Sequence, residues 1–96
     1  MSVYVDDGFV EGDWESWTGG GHMQADTIEE LHAMAEQLGL RRSWFQSKPD
    51  KPWHDHYDLT RSKRNQAIRL GAVSLTWREA VKRNRTVRLA HTRAIR

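Results

Sequence analysis

A chain of 96 residues has room for one domain with one core and buries about 60–65% of its unfolded surface, so modest stability is expected. With no cysteine, disulfides, thiolate metal sites and a cysteine nucleophile are excluded; with only short apolar runs, no membrane span or signal peptide is expected, and a cytoplasmic protein is. The net charge of +2 conceals a dipole: residues 1–40 carry nine acidic side chains and no Lys or Arg, while residues 41–96 carry fifteen basic against four acidic ones.

The first expected element is a strand over residues 2–7, where Val3 and Val5 alternate with Tyr4 and the run closes on Asp6 and Asp7. Residues 8–21 read as an acidic loop rich in glycine and tryptophan, and its Gly19-Gly20-Gly21 end marks a hinge or a close backbone approach. A second short strand is expected over residues 22–25. Thr27-Ile28-Glu29-Glu30 is a capping box that opens a helix with Ile28, Leu31, Met34, Ala35 and Leu38 on one face and Gly39 as its left-handed stop.

Residues 42–46 (R-S-W-F-Q) read as strand or extended chain, followed by a loop with Pro49 and Pro52 that runs to about residue 58. A second helix, over about residues 60–70 and stopped by Gly71, packs through Ala67, Ile68 and Leu70 and keeps a basic outer face. Residues 72–75 form a short apolar strand, and Thr76-Trp77-Arg78-Glu79 repeats the capping-box pattern to open a third helix to about residue 83. For residues 85–96, with Arg85, Arg88, Arg93 and Arg96 among apolar residues, strand, helix and basic arm stay open. Five tryptophans, each able to bury on the order of 150–250 Å², are expected to offset in part the shortage of aliphatic residues. Strands alternating with helices point to an α/β fold, a small single domain with a short, mostly parallel sheet and about three helices, because strands joined through a crossover helix usually lie parallel. The domain is expected over residues 1–84, with residues 85–96 as a basic C-terminal tail.

Y-V-D-D at residues 4–7, His22 followed by A-D-T at 25–27, E-E-L-H-A at 29–33, G-L at 39–40, W-F-Q at 44–46, H-Y-D at 56–58, S-K-R at 62–64 and G-A-V at 71–73 followed by Thr76 together resemble the uncharacterised bacterial and phage family DUF 4031. The resemblance covers roughly residues 2–80. It rests on the order and spacing of motifs that are individually weak. It implies an α/β domain and carries no assigned activity. The acidic loop at 8–21, the Pro-Trp-His stretch before H-Y-D and the tail depart from the family pattern, and the arginine- and tryptophan-rich style resembles accessory proteins of phages that infect actinobacteria.

Two groups of residues carry candidate chemistry. Asp6, Asp7, His22, His56 and Asp58 hold the donor types of a divalent-metal site, imidazole with carboxylate, and His54-x-His56-x-Asp58 would share one side of an extended chain. The ordinary structural reading is that Asp6 and Asp7 end a strand and that H-Y-D is a helix-opening turn, with Asp58 or Thr60 as cap and His56 bonded to backbone. His32 reads as a boundary histidine of the first helix, and His22 as a residue lining a pocket near Asp6. Ser62, Lys63 and Arg64 at the start of the second helix, facing His56 and Asp58, form a candidate anion site, since free N–H groups and the helix dipole favour phosphate there. Exposed charge is otherwise the default for such residues. Trp14 and Trp17 of the acidic loop are candidate contacts to a protein partner.

The leading expectation is therefore a small cytoplasmic phage or bacterial accessory protein, non-enzymatic, that binds a phosphate-bearing ligand, such as a nucleotide or nucleic acid, or a host macromolecule. The alternatives are a metal-dependent phosphoester hydrolase and a pure protein-interaction module acting on a host protein. Sequence leaves open whether the chain is an enzyme. No cofactor is certain, a divalent metal is admitted, no membrane is involved, and the opposed charges are compatible with a homo-oligomer.

Overall fold

A computed structural model of the protein describes residues 2–9 and 17–94. Its elements in chain order are β1 (Val3–Val5), β2 (Gly21–Ala25), α1 (Ile28–Gln37), β3 (Tyr57–Leu59), α2 (Arg61–Arg69), β4 (Val73–Ser74) and α3 (Trp77–Ala94), with single 3₁₀ turns at Arg42–Trp44 and Pro52–His54. The four strands form one sheet in the order β3-β2-β1-β4. No helix among the described residues is long and apolar enough to cross a membrane.

The α/β class and the three helices are as expected, but the sheet is mixed: β1 pairs with β4 in parallel, whereas β1–β2 and β2–β3 are antiparallel. The reason lies in the connections. β3 and β4 flank α2 and run the same way, as a crossover helix requires, yet β2 and β1 separate them. Between β2 and β3 the chain adds a long irregular stretch to α1, and this lets it return antiparallel. Residues 42–46 are not a strand: Phe45 N–H donates to Arg42 O in a 3₁₀ turn, and only Gln46 pairs, with His56, in an isolated bridge. The strand Tyr57–Leu59 falls at the end of what reads as loop. The third helix does not stop near residue 83 but continues through residues 85–94 without a break.

Caps explain where the helices begin. Thr27 Oγ1 accepts from Glu30 N–H, Thr60 Oγ1 from Lys63 N–H and Thr76 Oγ1 from Glu79 N–H, while Glu79 Oε1 accepts from Thr76 N–H to complete a reciprocal box. Both α1 and α2 end on a glycine of positive φ, Gly39 at 75° and Gly71 at 106°. The triple glycine makes the close approach that its position suggests. A Cβ on Gly20 would run into the Leu59 carbonyl, and one on Gly21 into the Asp6 carbonyl.

Alternation along the strands divides the sheet into two faces. One carries Val3, Val5, Met23, Tyr57 and Leu59, all buried, and packs with Leu31, Met34, Ala35 and Leu38 of α1 and Ala67 of α2. Ile28 and Leu70, expected to pack, are instead 41% and 46% exposed, because they sit at the ends of their helices. The other face carries Tyr4, Asp6, His22, Gln24 and Asp58. Over part of it lies α3, held by the Arg83 guanidinium, which donates to Ala25 O at 2.8 Å and lies over the Tyr4 ring at 4.5 Å. The tryptophans do not supply the core. Trp44 and Trp77 are 52% and 54% exposed, Trp17 and Trp53 are half-buried, and Trp14 lies outside the described residues.

Candidate metal centre

Register builds the centre. In the β2–β3 ladder His22 stands directly opposite Asp58, so both side chains leave the sheet on the same side, and His56, two residues before Asp58, follows them. His22, His56 and Asp58 each offer one ligand atom, all within 4.8 Å of one another. His56 Nε2 lies 3.3 Å and His22 Nε2 3.9 Å from Asp58 Oδ1, and the two rings meet edge to face at 5.3 Å. Metal–ligand bonds of about 2.0–2.2 Å place neighbouring ligand atoms roughly 3–3.5 Å apart, so side-chain movements of under about 1 Å would close the site.

Each histidine is held from behind by its other nitrogen. His22 Nδ1 is 3.2 Å from both Asp6 carboxylate oxygens, and His56 Nδ1 is bonded to the His54 carbonyl. A proton on each Nδ1 leaves the Nε2 lone pairs directed inward, as in the carboxylate–histidine pairs that orient metal ligands. Asp6 is itself fixed, since its Oδ1 accepts from the backbone N–H of Gly8 and of His22 at 2.9 Å. Burial pushes the Asp6 carboxyl up, but the His22 ring and these backbone donors outweigh it and hold the group below the usual range. Asp58 is likewise held low, first by its contact with the His56 imidazole, against burial, and then by Gln46, whose amide donates to Oδ2 at 2.8 Å. His56 is pushed up by Asp58, against burial.

Asp58 Oδ1 is buried and accepts no well-aligned hydrogen bond, although two ring nitrogens stand beside it. A carboxylate oxygen facing two lone pairs is repelled unless a cation, a proton or a metal ion, sits among them. Two histidines and one carboxylate leave coordination positions open for water and a substrate.

Of the residues expected at a metal site, His22, His56 and Asp58 are brought together, with Asp6 behind His22. Asp7 is elsewhere: its Oδ1 accepts from Trp77 N–H at 2.6 Å, at the start of α3. His54 contributes its carbonyl rather than its ring. The helix-opening reading of H-Y-D holds for Thr60, which caps α2, while Asp58 lies in β3. His32 packs on Phe45 and Tyr57 and pairs with the Tyr57 hydroxyl at 2.8 Å. The expected anion residues are mostly engaged within the fold. Lys63 Nζ donates to Leu38 O at 2.6 Å, Arg64 donates to Asp6 O at 2.7 Å and Ser74 Oγ at 2.8 Å, and Ser62 is exposed.

Sequence reasoning missed Gln46, which orients Asp58, and Phe9, whose ring lies between His22 (4.8 Å) and Trp17 (5.9 Å). The W-F-Q motif is a signal for Gln46 but names no partner for it. Two clefts flank the cluster. A small one of about 160 Å³ is lined by Asp6, His22, His56, Trp53, Trp77 and Asn84 among others, and an apolar one of about 550 Å³ shares Asp58.

No curated protein and no solved structure matches the chain. A family model described as "Protein of unknown function (DUF4031)" matches residues 3–87, a span that holds every residue of the centre, and the chain belongs to that family.

Proposed function

We propose that the protein is a divalent-metal-dependent hydrolase of phosphate esters, its ion held by His22 Nε2, His56 Nε2 and Asp58 Oδ1. The observation that carries this reading is the convergence of those three atoms within 4.8 Å, with each histidine oriented through its other nitrogen. An ion there would lower the pKa of a bound water and polarise a phosphoryl oxygen, the two services such hydrolysis needs. The basic half of the chain favours an anionic substrate. Because Lys63 and Arg64 are engaged with backbone and Ser74, the weight moves from a metal-free anion site at α2 to the metal.

The test is a titration of the purified protein with Mn²⁺ and Zn²⁺, followed by melting temperature and by turnover of p-nitrophenyl phosphate and bis(p-nitrophenyl) phosphate. Metal-dependent stabilisation and turnover, both lost in His56→Ala and Asp58→Ala, are expected. Stabilisation of equal size in those variants would remove the assignment of the ion, and metal binding without turnover of either ester would remove the hydrolase.

A further inference from the structure

The apolar cleft that shares Asp58 with the metal centre is lined by Trp17, Leu40, Trp44, Gln46, Thr60 and Lys63 among others, and at about 550 Å³ it has the size of a small-molecule site. Its two tryptophans come from separate segments of the chain. Trp17 is tied to the centre through a row of rings, Trp17 to Phe9 to His22, whereas Trp44, half exposed, comes from the 3₁₀ turn Arg42–Trp44.

Lys63 lines it, and two arginines stand next to its tryptophans. The Arg41 guanidinium lies over the Trp44 ring at 5.7 Å, and the Arg61 side chain lies on Gly19, two residues from Trp17. Neither arginine has a carboxylate partner among the described residues. Indole walls, basic side chains nearby and the carboxylate of the proposed metal centre at one side suit a ligand with a planar ring at one end and an anion at the other.

We infer that this cleft seats the base of a nucleotide whose phosphate reaches the metal, so the substrate class is nucleoside phosphates. This rests on the metal reading for the phosphate and on the cleft alone for the base. Stacking on an aromatic wall tolerates any base, since every base has a π-face, so one nucleotide serves as probe.

The experiment is calorimetric titration of the full chain, with and without Mn²⁺, using adenosine 5′-monophosphate, ribose 5-phosphate and adenosine. The proteins compared are the natural one, Trp44→Ala and His22→Ala. With Mn²⁺ present, the monophosphate is expected to bind about tenfold or more tighter than ribose 5-phosphate. Trp44→Ala should erase that advantage and leave Mn²⁺ affinity unchanged, because Trp44 is half exposed and is not among the ligand residues. Equal binding of the two phosphates, or an unchanged monophosphate affinity in Trp44→Ala, overturns the inference. Adenosine binding that survives in His22→Ala and vanishes in Trp44→Ala supports the base seat even if Mn²⁺ fails to bind, which would sink only the metal reading. If adenosine and the monophosphate bind neither the natural protein nor His22→Ala, the base seat is overturned whatever the metal does.

Discussion

Asp6→Asn isolates the role of the carboxylate behind His22. The amide keeps the shape of the side chain, and its oxygen still accepts from Gly8 N–H and His22 N–H, both at 2.9 Å, so the turn that closes β1 is retained. The second oxygen, 3.2 Å from His22 Nδ1, becomes an NH₂ donor, while Oδ1, at the same distance from Nδ1, has both its lone pairs engaged by the two backbone donors. A donor at that position favours the tautomer with the lone pair on Nδ1 and the proton on Nε2, the nitrogen that faces Asp58 Oδ1 at 3.9 Å. That proton occupies the place proposed for the metal. Loss of an outer partner of this kind typically costs 10–100-fold in metal affinity, and reversal of the tautomer places the expected loss at roughly 30–100-fold, about 2–2.7 kcal/mol.

The assay is competition for Zn²⁺ against a chromophoric chelator, paired with melting curves of metal-free and metal-saturated protein. At a metal excess that saturates the natural protein, the variant should forfeit up to about 2–2.7 kcal/mol of metal-linked stabilisation. For a domain of this size that is roughly 10–15 °C of melting temperature, while the metal-free melting point should move by only about 3 °C or less. A variant that binds Zn²⁺ within about threefold of the natural protein would refute the tautomer argument, since the carboxylate would then have no hold on the ligand through the far side of the ring. So would a loss of metal-free stability as large as the loss of metal-linked stability.

Three further outcomes follow from particular contacts. Gly21→Ala places a methyl group against the Asp6 carbonyl and 2.5 Å from Asp6 Oδ1, forcing β1 and β2 apart at about 3 kcal/mol, whereas Gly39→Ala, with nothing within 4 Å and φ of 75°, should cost about 1 kcal/mol; equal losses in urea unfolding would contradict the close approach. Asp7→Ala should cost about 0.5–1 kcal/mol through the lost bond to Trp77 N–H and leave Zn²⁺ affinity unchanged, so a tenfold fall in affinity would return Asp7 to the ligand set. His32 is held below the ordinary histidine range by burial and then by the Arg42 charge, against Asp55 and Glu29. The stability gained by keeping it neutral is complete above about pH 6.5 and is lost as pH falls through the lower folded value, because the unfolded chain takes up the proton first. Stability of the natural protein should therefore fall relative to His32→Gln as pH drops below about 6.5, and parallel curves would be incompatible with that assignment.

What could be read from sequence was local. The capping residues Thr27, Thr60 and Thr76 and the stops Gly39 and Gly71 lie where their chemistry requires, since a cap depends on neighbours three or four residues away. Pairing depends on residues far apart and was not legible. A strand of three residues with Asp58 at its centre, at the end of a proline-bearing loop, gives too short an alternation to be told from a turn. The members of the centre were recognisable by type, because imidazoles and carboxylates suggest metals. Their grouping was legible only in part: His22 was placed near Asp6, but the separation of Asp7 from Asp6 depends on where α3 begins, and the placement of His56 beside His22 depends on the β2–β3 register.

That same register joins the site to the core. Met23 opposite Tyr57, and Leu59 opposite the side-chain-free Gly21, point to the packed side, so His22 opposite Asp58 must point to the other. Met23, Tyr57 and Leu59 are at most 1% exposed, and a slip of one residue would turn all of them out of the core. Apolar packing on one side of the sheet thus selects the arrangement of ligands on the other. The Gly20 and Gly21 backbones, pressed against Leu59 and Asp6, allow the three strands to lie close enough for Asp6, His22 and Asp58 to stand in line. On this account a substitution that loosens the core, such as Leu59→Ala, weakens metal binding with no ligand touched, whereas an exposed substitution on α3, such as Arg88→Ala, leaves it alone.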